Sequence, residues 1–159
     1  MSTLFVCEAE VYREATHDQV LDAAEAALAR RFRVGSPVLK EPSSVRDYLK
    51  IHLSGLPYEV FGCLYLNSKH RLIAREELSR GTIDASYVYA REVVRSCLAH
   101  NAASLVVYHN HPSGETSPSA ADENMTRRIR EALQLIDVRL LDHWIFGTST
   151  FSFAEHGLL

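Results

Sequence analysis

Apolar and polar positions divide this chain into segments whose period identifies them. Leu4 to Tyr12 alternates and predicts an opening strand, after which Thr16-His17-Asp18 starts an alanine-rich helix running to about Arg33. Gly35-Ser36-Pro37 and Glu41-Pro42-Ser43-Ser44 interrupt the chain and cap a short helix near Val45–Leu53. Tyr58 to Leu66 is then a nearly unbroken apolar strand opened by one carboxylate, Glu59, and the polar turn Asn67-Ser68-Lys69-His70 joins it to a second strand at Leu72–Ser79. A helix near Ala90–His100 leads to Ser104-Leu105-Val106-Val107-Tyr108, a β-branched and aromatic run that reads as a buried strand. Val138–Phe146 and Thr150–Phe153 supply closing strands around the turn Gly147-Thr148-Ser149. Strands, one hairpin and crossover helices in this order predict an α/β fold, a mixed β-sheet with helices packed on it. There are neither repeats nor low-complexity segments.

The chemistry concentrates where the buried strand ends. His109 and His111 lie two residues apart, so at the end of a strand they point to one side. Downstream, Ser117-Pro118 reads as an N-cap serine followed by proline at the first helical position, which predicts a helix beginning there. Ser119 and Asp122 then share a helical face with Met125, Ile129, Ala132, Leu133 and Ile136, the stripe that the helix must bury. An inward carboxylate is costly without a partner, and a metal ion held jointly with two imidazoles supplies one. Two histidines and one aspartate leave an open position for water, the pattern of a catalytic zinc, although the same ligand set also suits non-haem iron. A capping box is the other reading of Ser119 and Asp122, in which both side chains only satisfy backbone N–H groups. The letters His109-Asn110-His111 are not the HNH nuclease motif, whose residues lie far apart in sequence.

Composition sets the limits. At 159 residues and 47% hydrophobic content the chain fits one globular domain, residues 1–159, in which 1–56 form a less diagnostic strand and helix portion and 57–155 hold the site. Basic residues number 17 against 20 acidic, a net charge of −3, so no global positive field attracts nucleic acid. Arg30, Arg31 and Arg33, and Arg127, Arg128 and Arg130, make two local clusters that read as solvated helix faces. Three widely spaced cysteines, Cys7, Cys63 and Cys97, read as reduced core residues of a cytoplasmic protein. Without a basic leader segment or an apolar run approaching ~20 residues, no membrane association is expected.

His-x-His, seven residues, Ser, two residues, Asp resembles the JAMM motif of the JAB/MPN metallohydrolases. The surrounding His109-Asn110-His111-Pro112-Ser113-Gly114 is similar to the RadC branch of that superfamily. The likeness runs from about Glu59 to Phe153 and takes in Asn67-Ser68-Lys69-His70-Arg71-Leu72-Ile73, Gly81-Thr82, Tyr89-Ala90-Arg91-Glu92-Val93 and Leu141-Asp142-His143-Trp144-Ile145-Phe146-Gly147. It implies a three-layer, cytidine-deaminase-like fold and a zinc ion on His109, His111 and Asp122. It also implies an upstream glutamate as general base, and Glu-x-x-Gly-x-Leu at Glu59 resembles the family's segment; Glu76 and Glu77 are the rivals, with a solvated strand edge paired to arginines as their ordinary reading. Ser119 would donate to the oxyanion as a peptide or isopeptide bond is cut. Asp142 and His143 resemble a family element whose role is either a contact behind a ligand or a satisfied core pair. Longer RadC relatives carry a helix-hairpin-helix segment with no counterpart here, so the reading is a short form. The family's DNA-repair name keeps a DNA-associated module open as an alternative, as it does a metal-stabilised binding protein without activity.

Overall fold

Alternation along two central strands decides which face of the sheet each side chain serves. In β3 (Val60–Leu66) the even residues Val60, Leu64 and Leu66 enter one apolar cluster while Phe61, Cys63 and Tyr65 enter another. In β5 (Ser104–Asn110) Val106 and Tyr108 join the first cluster, Leu105 and Val107 the second. The two strands pair antiparallel with Phe61 opposite His109, and neither has an exposed residue. A strand buried on both faces needs a layer on each side. One layer is α2 (Pro42–Leu53), which buries Val45, Leu49 and Leu53 in the first cluster. The other is α3 (Ala90–Ala99) with α4 (Ala120–Gln134), which bury Val93, Cys97, Ile129 and Leu133 in the second.

The computed structural model describes residues 5–8, 11–31, 42–53, 55–81 and 88–159. Its main sheet has five strands, adding β4 (Leu72–Arg80), β6 (Arg139–Phe146) and β7 (Thr150–Ser152) in the order β4-β3-β5-β6-β7. β5 and β6 run parallel, joined through α4, and every other pairing is antiparallel. This is the mixed sheet between helical layers expected of a JAB/MPN domain. Gly62 is required where it stands, because a Cβ there would lie 2.3 Å from the Tyr108 ring and 2.8 Å from the Glu76 carbonyl oxygen.

Two boundaries differ from expectation here. The opening strand is a two-stranded ribbon, β1 (Phe5–Glu8) pairing antiparallel with β2 (Val11–Glu14). The following helix, α1 (His17–Arg31), packs on α2, with Glu25 Oε1 3.3 Å from His52 Nδ1. Its expected end at Arg33, the Gly35-Ser36-Pro37 break, Thr82 and the side chains of Cys7, Arg30 and Arg31 lie outside the described residues. The second helix begins at Pro42, earlier than Val45, since proline's missing N–H costs nothing in a first turn. Among the described residues no helix is long and apolar enough to cross a membrane.

Candidate metal centre

β5 ends by delivering His109 to the face on which α4 packs, and β6 brings His143, the register partner of Val107, beside it. His111 follows past the strand end, its backbone N–H held by the Phe146 carbonyl at 2.8 Å. Asp122 reaches the same point from the first turn of α4. One ligand atom from each of His109, His111 and Asp122 lies within 4.8 Å of the others, the only such group of three among the described residues. The two Nε2 atoms are 2.9 Å apart, His109 Nε2 is 3.3 Å from Asp122 Oδ1, and His111 Nε2 is 3.9 Å from Oδ2.

These residues fit a metal ion on two grounds. Ligand atoms at about 2.0–2.1 Å from a tetrahedral zinc are about 3.3 Å apart, within the range of separations found here. His111 Nδ1 lies 2.9 Å from the Glu115 carbonyl oxygen, which only accepts, so its proton is on Nδ1 and its Nε2 lone pair faces the cluster. Burial holds His109 below the ordinary imidazole range, to about 4, against the pull of Asp122, so His109 is neutral at pH 7. The group can therefore hold a cation.

The helix carrying Asp122 does not begin at Ser117. Ser119 is the N-cap, in extended backbone, and it and Asp122 form a full capping box. The Ser119 N–H and hydroxyl both donate to Asp122 Oδ2, at 2.8 and 2.6 Å, and its oxygen accepts from the Asp122 N–H at 3.2 Å. Reciprocal bonding satisfies donors that Ser117 would leave open, since the Ser117 N–H is already taken by the Glu115 carboxylate at 2.9 Å. Capping and metal chemistry are thus compatible readings of one aspartate: Oδ2 closes the helix and Oδ1 faces His109.

Glu59 enters from the start of β3. Burial raises its pKa, His111 lowers it and Asp122 raises it, which places the carboxyl within electrostatic reach of the ligand cluster. Its placement depends on Asn110, a residue without a role in the sequence reading. The buried Asn110 amide accepts from the Val60 N–H at 2.8 Å and donates to the Tyr58 carbonyl at 3.0 Å, bracketing Glu59 from both sides. A polar residue inside an apolar strand was the available signal. Glu76 instead accepts from the Ser96 hydroxyl and lies 2.8 Å from His100 Nε2, while Glu77 pairs with Arg75 at 3.4 Å and Arg80 at 3.1 Å.

Asp142 and His143 divide between the two roles left open for them. Asp142 accepts from the N–H groups of His143 and Ala154 and from the Ser152 hydroxyl, at 2.7, 3.0 and 2.7 Å, and so ties β6 to the closing turn; burial raises its pKa. His143 stands behind the ligand, its Nε2 2.8 Å from His109 Nδ1 and its Nδ1 2.6 Å from Thr126 Oγ1. Burial keeps it neutral. Beside His111 a cleft of about 400 Å³ opens between Leu53, Leu56, Pro112 and Phe146, with Lys50 and Thr148 among its lining.

A model of the RadC-like JAB domain matches residues 39–158. This chain belongs to the RadC-like JAB family. Within that family it is similar to a UPF0758 protein of Azotobacter vinelandii, 52% identical over 141 residues that cover 88% of this chain and 62% of the relative. A UPF0758 protein of Thioalkalivibrio sulfidiphilus is 56% identical over 121 residues, 76% of this chain and 54% of the relative. One of Halorhodospira halophila is 53% identical over 140 residues, 87% and 62%. The chain spans less than two thirds of the length of these RadC-family relatives.

Proposed function

We propose that this domain is a zinc hydrolase that cuts a peptide or isopeptide amide bond. The observation that carries the reading is the histidine, histidine and aspartate cluster built by β5 and α4, with Glu59 just ahead of the β3 residue Phe61 that pairs with His109. His109, His111 and Asp122 would hold the ion, which when bound lowers the pKa of water toward ~7 and polarises a carbonyl. Glu59, its pKa raised by burial, then takes a proton from water and returns it to the leaving amine. Ser119 serves the oxyanion by turning its hydroxyl away from Asp122 Oδ2, while its backbone N–H keeps the cap closed. The cleft beside His111 receives the substrate chain. The buried free thiols of Cys63 and Cys97 suit the reducing cytoplasm in which we place the protein.

Metal analysis by mass spectrometry, joined to digestion of a proteome-derived peptide library, tests this reading. One zinc per chain is expected, lost when His109 and His111 are both alanine. Glu59→Gln should keep the zinc and lose about 10²–10⁴ in cleavage rate, the usual cost of removing a general base. Cleavage that survives Glu59→Gln and disappears in Glu77→Gln would overturn the assignment.

A further inference from the structure

Behind His109 runs a chain of contacts that ends in a hydroxyl on α4. Thr126 Oγ1 lies 2.6 Å from the Asp122 carbonyl oxygen and 2.6 Å from His143 Nδ1; His143 Nε2 lies 2.8 Å from His109 Nδ1. Thr126, His143 and His109 are 2%, 0% and 1% exposed, so solvent does not supply alternative partners. Proton positions follow by elimination. A carbonyl oxygen only accepts, so a 2.6 Å contact between it and a hydroxyl oxygen needs the hydroxyl proton between them. That proton is the only one Thr126 Oγ1 has. His143 Nδ1 must then donate to Thr126, which leaves His143 Nε2 bare. His109 Nδ1 must donate to that bare nitrogen, which leaves His109 Nε2 bare and facing His111 Nε2 at 2.9 Å.

We propose that Thr126 is a positioning residue that fixes the tautomer of His109 through His143, keeping the Nε2 lone pair turned toward the metal position. A relay of neutral groups has two directions, and the open one leaves no proton between His109 Nε2 and His111 Nε2, 2.9 Å apart and beside Asp122 Oδ1 at 3.3 Å, where a cation would take the place of a proton. In the opposite one, Thr126 would donate to His143, His143 Nε2 to His109, and His109 Nε2 to His111, and the ligand nitrogen would be covered by a proton. The Asp122 carbonyl, accepting the threonine proton one helical turn back, selects the open direction. The helix that presents the aspartate ligand therefore also sets the proton on the histidine ligand, His143 meeting Thr126 through one ring nitrogen and His109 through the other, with no carboxylate among its partners in the described residues. Ordinarily a carboxylate, backbone carbonyl or water accepts from a ligand histidine.

This inference rests on His109 being a metal ligand and is independent of whether an amide bond is cut, so its readouts are tautomer and zinc affinity. Long-range ¹H–¹⁵N correlation spectra of metal-free protein at neutral pH should show His109 and His143 both protonated at Nδ1. Thr126→Val removes the hydroxyl at nearly constant shape. His143 is then expected to carry its proton on Nε2 and His109 to follow, and zinc affinity, measured by competition with a chromophoric chelator, should fall about 10- to 100-fold. Thr126→Ser should restore both the spectrum and the affinity. Wild-type His109 protonated at Nε2 overturns the proposal even if no variant folds. So does a Thr126→Val protein with wild-type tautomers and wild-type zinc affinity, or a Thr126→Ser protein as impaired as the valine variant.

Discussion

Single carboxylates in this protein are told apart by what accepts or donates to them, and Glu59 and Glu76 show the contrast. Glu59 is raised by burial, with His111 lowering it and Asp122 raising it, whereas Glu76 is held below the ordinary carboxylate range, first by the Ser96 hydroxyl and then by His100. A depressed folded pKa stabilises the native state in full above the unfolded value of about 4.3 and loses that contribution as pH falls through the lower folded value. Glu76→Gln should therefore lower stability near pH 7 and give a shallower loss between about pH 5 and 3. Asp142, whose pKa is raised, has the opposite sign but is common to both proteins and cancels in the difference. Urea denaturation midpoints across that range would check it. Two curves running parallel from pH 7 to 3 would show that Ser96 and His100 do not hold this carboxylate.

Among elements, the turn between β6 and β7 has a larger part than its length suggests. It clasps the loop that follows His111: the Thr148 N–H and hydroxyl donate to the Gly114 carbonyl at 2.9 and 3.0 Å, and the Thr116 and Ser149 hydroxyls meet at 2.9 Å. Gly147 makes the approach possible, because a Cβ there would lie 2.4 Å from the Gly114 oxygen and 2.8 Å from that of Glu115. Both neighbours are backbone and the second is the acceptor that fixes the His111 tautomer. Gly147→Ala should cost about 1–3 kcal/mol as an overpacking change and weaken the metal-dependent part of stability. Ser149→Ala, losing one exposed contact, should stay within about 0.5 kcal/mol. Denaturation with and without a chelator separates the two effects. An unchanged metal increment in Gly147→Ala would mean that the clasp does not govern His111.

At the scale of the whole molecule, charge argues about partners. Arg127 and Arg128 are exposed on α4 but share that face with Glu123 and Glu131, and the chain as a whole is acidic, at −3. Binding driven by phosphate needs several cations on one surface. Duplex DNA should bind no tighter than the non-specific range, with Kd roughly 10⁻⁴–10⁻⁶ M at physiological salt. Fluorescence anisotropy on duplex and branched DNA, with wild type and an Arg127, Arg128 and Arg130 triple alanine variant, measures it. Nanomolar binding lost in that variant would favour a DNA-associated role over the hydrolase reading.

Local periodicity was enough to place most elements, because the pattern that buries a strand or helix face is carried by neighbouring residues. The β3 and β5 runs, the α3 and α4 stripes, and the shared side of His109 and His111 are all of this kind. The α4 start was ambiguous because Ser117 and Ser119 offer equal local signals, and only the Glu115 carboxylate's claim on the Ser117 N–H separates them. The relation of Glu59 to the ligands came from family resemblance, since nothing near it in sequence specifies what it faces. Strand register settles such relations: Phe61 opposite His109, Val107 opposite His143, and Asn110 bridging to Tyr58 and Val60. Thr126 was hidden for the same reason: nothing near it in sequence gives it a role, and only β6 sets His143 against it. Pairing between distant strands is cooperative and non-local, so the candidate ligands were written in one segment of chain while the groups packed behind them, His143 and Thr126, were assembled by the sheet.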